Sequence, residues 1–251
     1  MKTLPGKEIA CLYDKQGPVR VFDDGNKRYL SFGAGDEQSC MVKTSPGLLQ
    51  YDYNRAMILV MLLCRPTNIV VLGLGGGTLP ICLLRHFPGV SITVVELREV
   101  VIKIASKYFD LPDDGRLKII NDNALDFLEQ QGSQQQEAGT CDVLFSDLFI
   151  AEGLEARQLT ERFIENAKRI LTDDGYLVIN ALEEYRTEKV LSTLFGRHFK
   201  TIYENITDDG NWVIIATNGS DKVKPKTLTG SAKQLSEVLG FSLMGHLKRL
   251  V

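Results

Sequence analysis

Apolar positions follow one period at the start of the chain, another in its middle, and return to the first near the end. Between residues 8 and 43 they form short runs, at 9–13, 19–22 and 28–32. The separators Asp14-Lys15-Gln16-Gly17 and Asp23-Asp24-Gly25-Asn26 carry the residues of tight turns. This predicts a small antiparallel β region. From 49 to 63, Ala56, Leu59, Val60 and Leu63 recur at helical spacing, predicting an amphipathic helix stopped by Arg65-Pro66-Thr67. Continuous apolar runs at 69–72, 91–95, 117–120, 142–145 and 176–180 then alternate with helical patterns ending near residue 86 and at 98–108, 124–129 and 159–171. Strands apolar on both faces and separated by helices indicate a parallel sheet covered on both sides. A helix at 184–195 precedes two strand-like segments, 200–205 and 211–217, around Asp208-Asp209-Gly210, which predicts a closing hairpin.

The glutamine-rich segment 130–139 is expected as a surface loop, 220–229 as a linker, and 232–250 as a terminal helix or helix pair. The chain thus divides into a β region (1–48), an α/β domain (49–219), and a linker with a helical segment (220–251).

Composition narrows the function classes. The 251 residues are 44% hydrophobic and 24% charged, with a formal charge of -3, ordinary for a globular protein with a full core. No lysine–arginine block stands out, so nucleic acid and anionic membrane are not expected partners. Apolar stretches such as 56–64 and 69–74 are too short to span a bilayer. Residues 1–10 have no apolar run between Lys2, Lys7 and Glu8, so no signal peptide is expected. The five cysteines are odd in number and have no CxxC pair, arguing against a disulfide framework or a zinc site. His86, His198 and His246 lack ligand partners at short spacing and read as surface or helix-end residues. A reduced, cytoplasmic, metal-free protein is expected.

The candidate chemistry sits at strand ends. The first parallel strand runs into Gly73-Leu74-Gly75-Gly76-Gly77-Thr78, a turn that lets backbone approach a nucleotide closely. Thr78 stands where a dinucleotide fingerprint needs its third glycine. Glu96 closes the second strand, where a carboxylate can accept both hydroxyls of a ribose. Asp122, in Asn121-Asp122-Asn123-Ala124, closes the third; it reads as an acceptor for an adenine amine or as a helix N-cap. Asp147 closes the fourth. Ser146 lacks a GxSxG elbow, which argues against a hydrolase triad. Trp212, Met57 and Met61 read as packing.

The glycine loop, Val95-Glu96-Leu97, Asp122-Asn123-Ala124, Asp142-Val143-Leu144-Phe145-Ser146-Asp147 and Leu171-Thr172-Asp173-Asp174-Gly175 resemble the spermidine synthase (polyamine aminopropyltransferase) family. Val21-Phe22-Asp23, Asp36-Glu37-Gln38-Ser39 and Tyr53 extend the resemblance into the N-terminal region. It implies a Rossmann-like α/β fold of the AdoMet-dependent methyltransferase type, with a mostly parallel sheet ending in an antiparallel hairpin. AdoMet or decarboxylated AdoMet would be co-substrate, held by Gly73, Gly75, Gly76, Gly77, Glu96, Leu97, Asp122, Asn123 and Ala124. Gln38 and Tyr53 would contact a small amine acceptor, and Asp147 would be general base. A homodimer is a further implication.

Three positions depart from the family pattern. Gly76 and Ile150 stand where the family carries aspartates, and Asn54 where it carries histidine. Burying an ammonium without a paired acid is costly, so these changes bear on polyamine recognition. Glu152 and Glu155 are the nearest acids that could replace them. Methyl transfer from AdoMet to another small molecule and non-catalytic nucleoside binding are the alternatives, with a nicotinamide oxidoreductase more distant.

Overall fold

The computed structural model describes residues 4–33, 37–133, 139–150, 153–187, 189–219 and 223–251. It opens with a four-stranded antiparallel meander, β1 (Lys7–Asp14), β2 (Gly17–Asp23), β3 (Lys27–Ser31) and β4 (Ser39–Val42), adjacent in chain order. The turn carboxylates do the folding work locally. Asp14 accepts from the Gln16 amide, Asp23 from Gly25, and Asp24 from Asn26 and Lys27. The short β4 is not signalled in sequence; pairing with β3 makes it a strand.

Next comes α1 (Asp52–Met57), which tightens into a 3₁₀ turn at Ile58–Leu62. It is shorter than the helical spacing predicts and not amphipathic: Ala56 through Val60 are all wholly buried. They share one core with Val19, Val21, Leu30 and Met41 of the meander and Val71 and Val143 of the main sheet. The meander is therefore joined to the α/β unit by apolar packing.

That unit runs β5 (Asn68–Leu72), α2 (Thr78–His86), β6 (Ser91–Glu96), α3 (Glu99–Tyr108), β7 (Leu117–Asn121), α4 (Ala124–Ser133) and β8 (Cys141–Ser146). A two-residue ribbon, β9 (Phe149–Ile150) with β10 (Gly153–Leu154), leads to α5 (Glu161–Ile170), β11 (Leu171–Leu182), α6 (Lys189–His198), β12 (Thr201–Ile206) and β13 (Asn211–Thr217). The sheet order is β12-β13-β11-β8-β5-β6-β7, with β13 antiparallel to its neighbours β11 and β12 and β11, β8, β5, β6 and β7 parallel. This is the expected mostly parallel sheet with a closing hairpin. Val71, Val143 and Val178 face the first core, whereas Leu72, Leu144 and Leu177 face a second core with Phe163 and Phe195. α4 continues through Ser133 into the segment expected as a loop, since glutamine is a good helix former.

The C-terminal segment forms a helix pair, α7 (Thr229–Leu239) and α8 (Met244–Arg249), whose Leu239, Leu243, Leu247 and Leu250 join the first core. His246 is buried here rather than at the surface. Among the described residues no helix is long and apolar enough to cross a membrane.

Between β5 and β8 the crossovers diverge to opposite sides of the sheet, opening a crevice beyond the carboxyl ends of the strands. Arg98, just past β6, secures its roof. Buried to 7% exposure, its guanidinium donates twice to Asp14 (2.8 Å each) and once to the Gly17 carbonyl, and lies 4.9 Å from the Phe32 ring centroid. The hydrogen bond from Arg98 holds the Asp14 carboxyl below its ordinary range. Arg98→Met is expected to lower the free energy of urea unfolding by about 2–3 kcal/mol, by stranding the Asp14 charge. The deficit should shrink as pH falls below about 4, where Asp14 protonates and the native pairing no longer favours folding.

Candidate functional site

A cavity of about 870 Å³ occupies this crevice. Of the residues expected at a site, Gly73, Gly75, Glu96, Leu97, Asn123, Ala124, Asp147, Gln38 and Tyr53 line it; Gly76, Gly77 and Asp122 do not. Gly76 and Gly77 instead shape the turn from behind.

The turn after β5 is dictated by close approach. Gly73 has φ of 93°, and a Cβ there would collide with the backbone carbonyl of Asp147. At Gly76 a Cβ would lie 2.8 Å from the Phe109 ring and 3.0 Å from Ser39 Cβ, so the position of the family aspartate is sterically filled. Every amide of the turn has an acceptor within the protein. Gly73 donates to the Val95 carbonyl (2.8 Å), Leu74 to Glu96 Oε2 (2.9 Å), Gly76 to Ser39 Oγ (2.8 Å) and Gly77 to the Leu74 carbonyl (2.8 Å); Gly75 also donates to Glu96. Gly73 to Gly77 thus spend their amides within the protein, whereas α2 begins at Thr78 without a side-chain cap, leaving the first-turn amides of Thr78 and Leu79 as the donors at this edge.

Glu96, 7% exposed, also accepts from the Arg98 amide at 2.8 Å. Burial pushes its carboxyl up, and the backbone donors oppose that shift. A carboxylate has about four lone-pair positions, so acceptor capacity remains at the cavity wall. Asp122 accepts from the Asn123 amide at 2.8 Å. The N-cap of α4 is Asn123, whose Oδ1 takes the Leu125 amide at 2.9 Å, and not Asp122. Asn123, Ala124 and Leu125 therefore face the cavity where Asp122 was expected. Opposite, Leu97 exposes 46% of its surface at the same wall.

Asp147 follows β8 with its carboxylate fixed from two sides. Asn180 Nδ2 donates to Oδ1 at 2.8 Å, and the Tyr53 hydroxyl also donates to it. Asn180 is oriented in turn by Asn211, whose Nδ2 reaches its Oδ1 at 3.0 Å. Burial pushes the Asp147 carboxyl up to about 6, against the pull of Asn180 and Tyr53. Asn54, at the position of the family histidine, donates to the Tyr53 oxygen, while Tyr51 stacks on Tyr53 with centroids 5.6 Å apart and donates to Glu37 at 2.9 Å. Ser146 bonds Gln158 at 2.7 Å and takes no part.

Ile150, at the second aspartate position, lines the cavity 38% exposed. Glu155 also lines it but is paired with Arg157 at 2.8 Å; Glu152 lies outside the described residues. Five lining carboxylates (Glu37, Glu96, Asp147, Glu155, Asp209) face two guanidiniums (Arg98, Arg157), an environment that favours a cation. Asn180, Asn211, Tyr51 and Asp209 escape sequence reading. The signal for Asn180 was a single amide inside an otherwise apolar strand, wholly buried in the structure. Away from the cavity, Glu161, Glu165 and His198 bring three ligand atoms within 4.8 Å of one another; the acids are exposed and His198 is half-buried.

Gly76→Asp, which would restore the family acid, is expected to lower Tm by about 4–8 °C through overpacking against Phe109 and Ser39. Gly89→Asp is the control, because a Cβ there meets nothing within 4 Å. Equal thermal shifts for the two variants would refute the steric account.

Residues 48–215 match the family model described as Methyltransferase small domain. A polyamine aminopropyltransferase of Neisseria meningitidis is 28% identical over 213 residues, covering 81% of this chain and 77% of that protein. An N-terminal histidine N-methyltransferase of Emericella nidulans is 36% identical over 114 residues, covering 45% of this chain and 20% of that protein. Among solved structures, a probable spermidine synthase from Corynebacterium glutamicum superposes with a TM-score of 0.75 at 20% identity, covering 92% of this chain and 88% of that one. Since the family model spans more than half of its length, the chain belongs to the methyltransferase small domain family and is a transferase.

Proposed function

We propose that this transferase moves an aminopropyl group from decarboxylated AdoMet to an amine acceptor, with Asp147 as the base. One observation carries the reading: a carboxylate raised to about 6, hydrogen-bonded by Tyr53 and Asn180, in an acid-rich cavity beside the glycine turn. These residues fit a nucleoside bearing a positive sulfur. Glu96 would accept the ribose hydroxyls, Leu97 and Leu125 would cover the adenine faces, and Asn123 and Ala124 would border its edge. The bound sulfonium supplies an electrophilic carbon, whose bond to sulfur breaks as the acceptor nitrogen bonds to it, leaving a neutral thioether. Asp147 then takes the proton from the alkylated nitrogen, and Tyr53 and Gln38 hold the amine in line.

Methyl transfer from AdoMet is the second reading. It is favoured by Gly76 and Ile150, which leave the aminopropyl ammonium without the two family acids. Incubation with each donor and a panel of amines decides: methylthioadenosine as product supports aminopropyl transfer, S-adenosylhomocysteine supports methyl transfer, and neither product with any acceptor refutes both.

Asp147→Asn is expected to reduce kcat by about 10²–10⁴-fold. Because the native carboxyl titrates near 6 instead of its ordinary 3.8, its ionisation costs stability once pH rises above 4. The variant should therefore melt above the wild type at pH 8, with the gain fading towards pH 4. A lower Tm at pH 8 would contradict this. In the wild type, the acidic limb of kcat/KM should bend near pH 6 by one proton.

A further inference from the structure

The wall of the cavity opposite the glycine turn is built from two segments that do not pack through apolar side chains alone. One is the start of α1, where Tyr53 and Asn54 line the cavity directly after Asp52. The other is the turn between β12 and β13, where Asp209 and Asn211 line it directly after Asp208. A single side chain from α8 ties them together. Arg249 Nη2 donates to Asp52 Oδ2 at 2.8 Å, and Nη1 lies 2.7 Å from Asp208 Oδ2. The Asp208 amide closes the triangle on Asp52 Oδ2 at 3.3 Å.

The clamp is itself anchored. His246, one helical turn earlier, is 4% exposed; its Nε2 lies 3.3 Å from Asp52 Oδ1, and its Nδ1 lies 3.1 Å from Arg249 Nη2. Those contacts assign the neutral imidazole with its proton on Nε2, donating to Asp52 and accepting from Arg249. The His246 carbonyl accepts from Asn205 of β12, and Val251 exchanges both backbone hydrogen bonds with Glu204 at 3.0 Å. Thus α8 is fastened to the sheet edge while Arg249 reaches back across α1 and the hairpin turn.

We propose that Arg249 is a positioning residue for the acceptor side of the cavity: it fixes Tyr53 and Asp209 relative to each other, and so sets acceptor affinity without touching the donor side. The assignment to the acceptor rests on the transfer reaction proposed above; the clamp itself rests on the contacts just described. Its carboxylate partners divide the labour. Asp52 and Asp208 neutralise Arg249, leaving the neighbouring Tyr53 and Asp209 directed at the cavity. The glycine turn, Glu96 and Leu97 lie on the other side of Asp147 in the sheet order, and the hydrogen bonds and ion pairs of Arg249 go to Asp52, His246 and Asp208 instead.

The test compares wild type, Arg249→Met and Arg249→Lys. Amide hydrogen exchange in Arg249→Met is expected to quicken about tenfold in residues 51–57 and 207–211, with residues 69–77 unchanged. Acceptor KM should rise about tenfold, the affinity for methylthioadenosine should stay within about twofold, and lysine should restore part of the loss. Unchanged exchange in both segments, or uniform acceleration throughout the chain, overturns the clamp. Local acceleration with unchanged acceptor KM overturns the positioning role. Should the wild type turn over neither sulfonium donor with any amine, the proposed reaction fails, and exchange together with methylthioadenosine affinity alone judges the clamp.

Discussion

The site hangs on one buried carboxylate. Glu96 takes the amides of Leu74, Gly75 and Arg98, and so fixes the bend after β5 and the exit from β6 at once. Two adjacent strand ends are thereby held as a single rigid edge, onto which the neighbouring β8 brings Asp147. The approach of Gly73 to the Asp147 carbonyl is possible only without a side chain, and the Asp147 amide bonds the Leu72 carbonyl at 3.0 Å. Asp147 and the glycine turn are consequently one mechanical unit. Their spacing is set by backbone, which is stiffer than any arrangement of side chains.

The second half of the site is assembled differently. Tyr53, Asn180 and Asn211 belong to three separate elements, α1, β11 and β13, and their side chains join in a polar line that ends on Asp147. In a low-dielectric setting such a line is strong when every member is satisfied and costly when one is lost. It keeps a carboxylate half-buried with an elevated proton affinity, a desolvated arrangement of the kind that functional sites retain at the expense of stability. The rigid edge formed by Glu96 and the glycine turn and the networked wall of Tyr53, Asn180 and Asn211 therefore answer to different constraints, and substitutions in one need not disturb the other.

The parallel core was legible because β5, β6, β8 and β11 are apolar on both faces, and tertiary context had nothing to override. Strand-end acids announced Glu96 and Asp147 for the same reason. The short β4 was not legible, since four residues without a flanking turn signal cannot outvote the noise of pattern reading. Asn123 rather than Asp122 lines the cavity because two consecutive polar residues follow β7, and which one turns inward depends on the helix cap. Asn123 caps α4, a choice that backbone geometry makes and spacing does not. Asn180, Asn211, Asp209 and the Arg249 clamp depend on contacts between segments 30 to almost 200 residues apart, which no local period encodes.

The excess of carboxylates on the cavity wall has a consequence for selectivity among the adenine compounds that crowd a cell. ATP and the dinucleotides outnumber sulfonium nucleosides, and they share the same base and sugar. A pocket that recognised only those shared parts would be occupied by the wrong molecule most of the time. Here a polyphosphate would meet five carboxylates against two guanidiniums, so repulsion disfavours it, with no need for a gate.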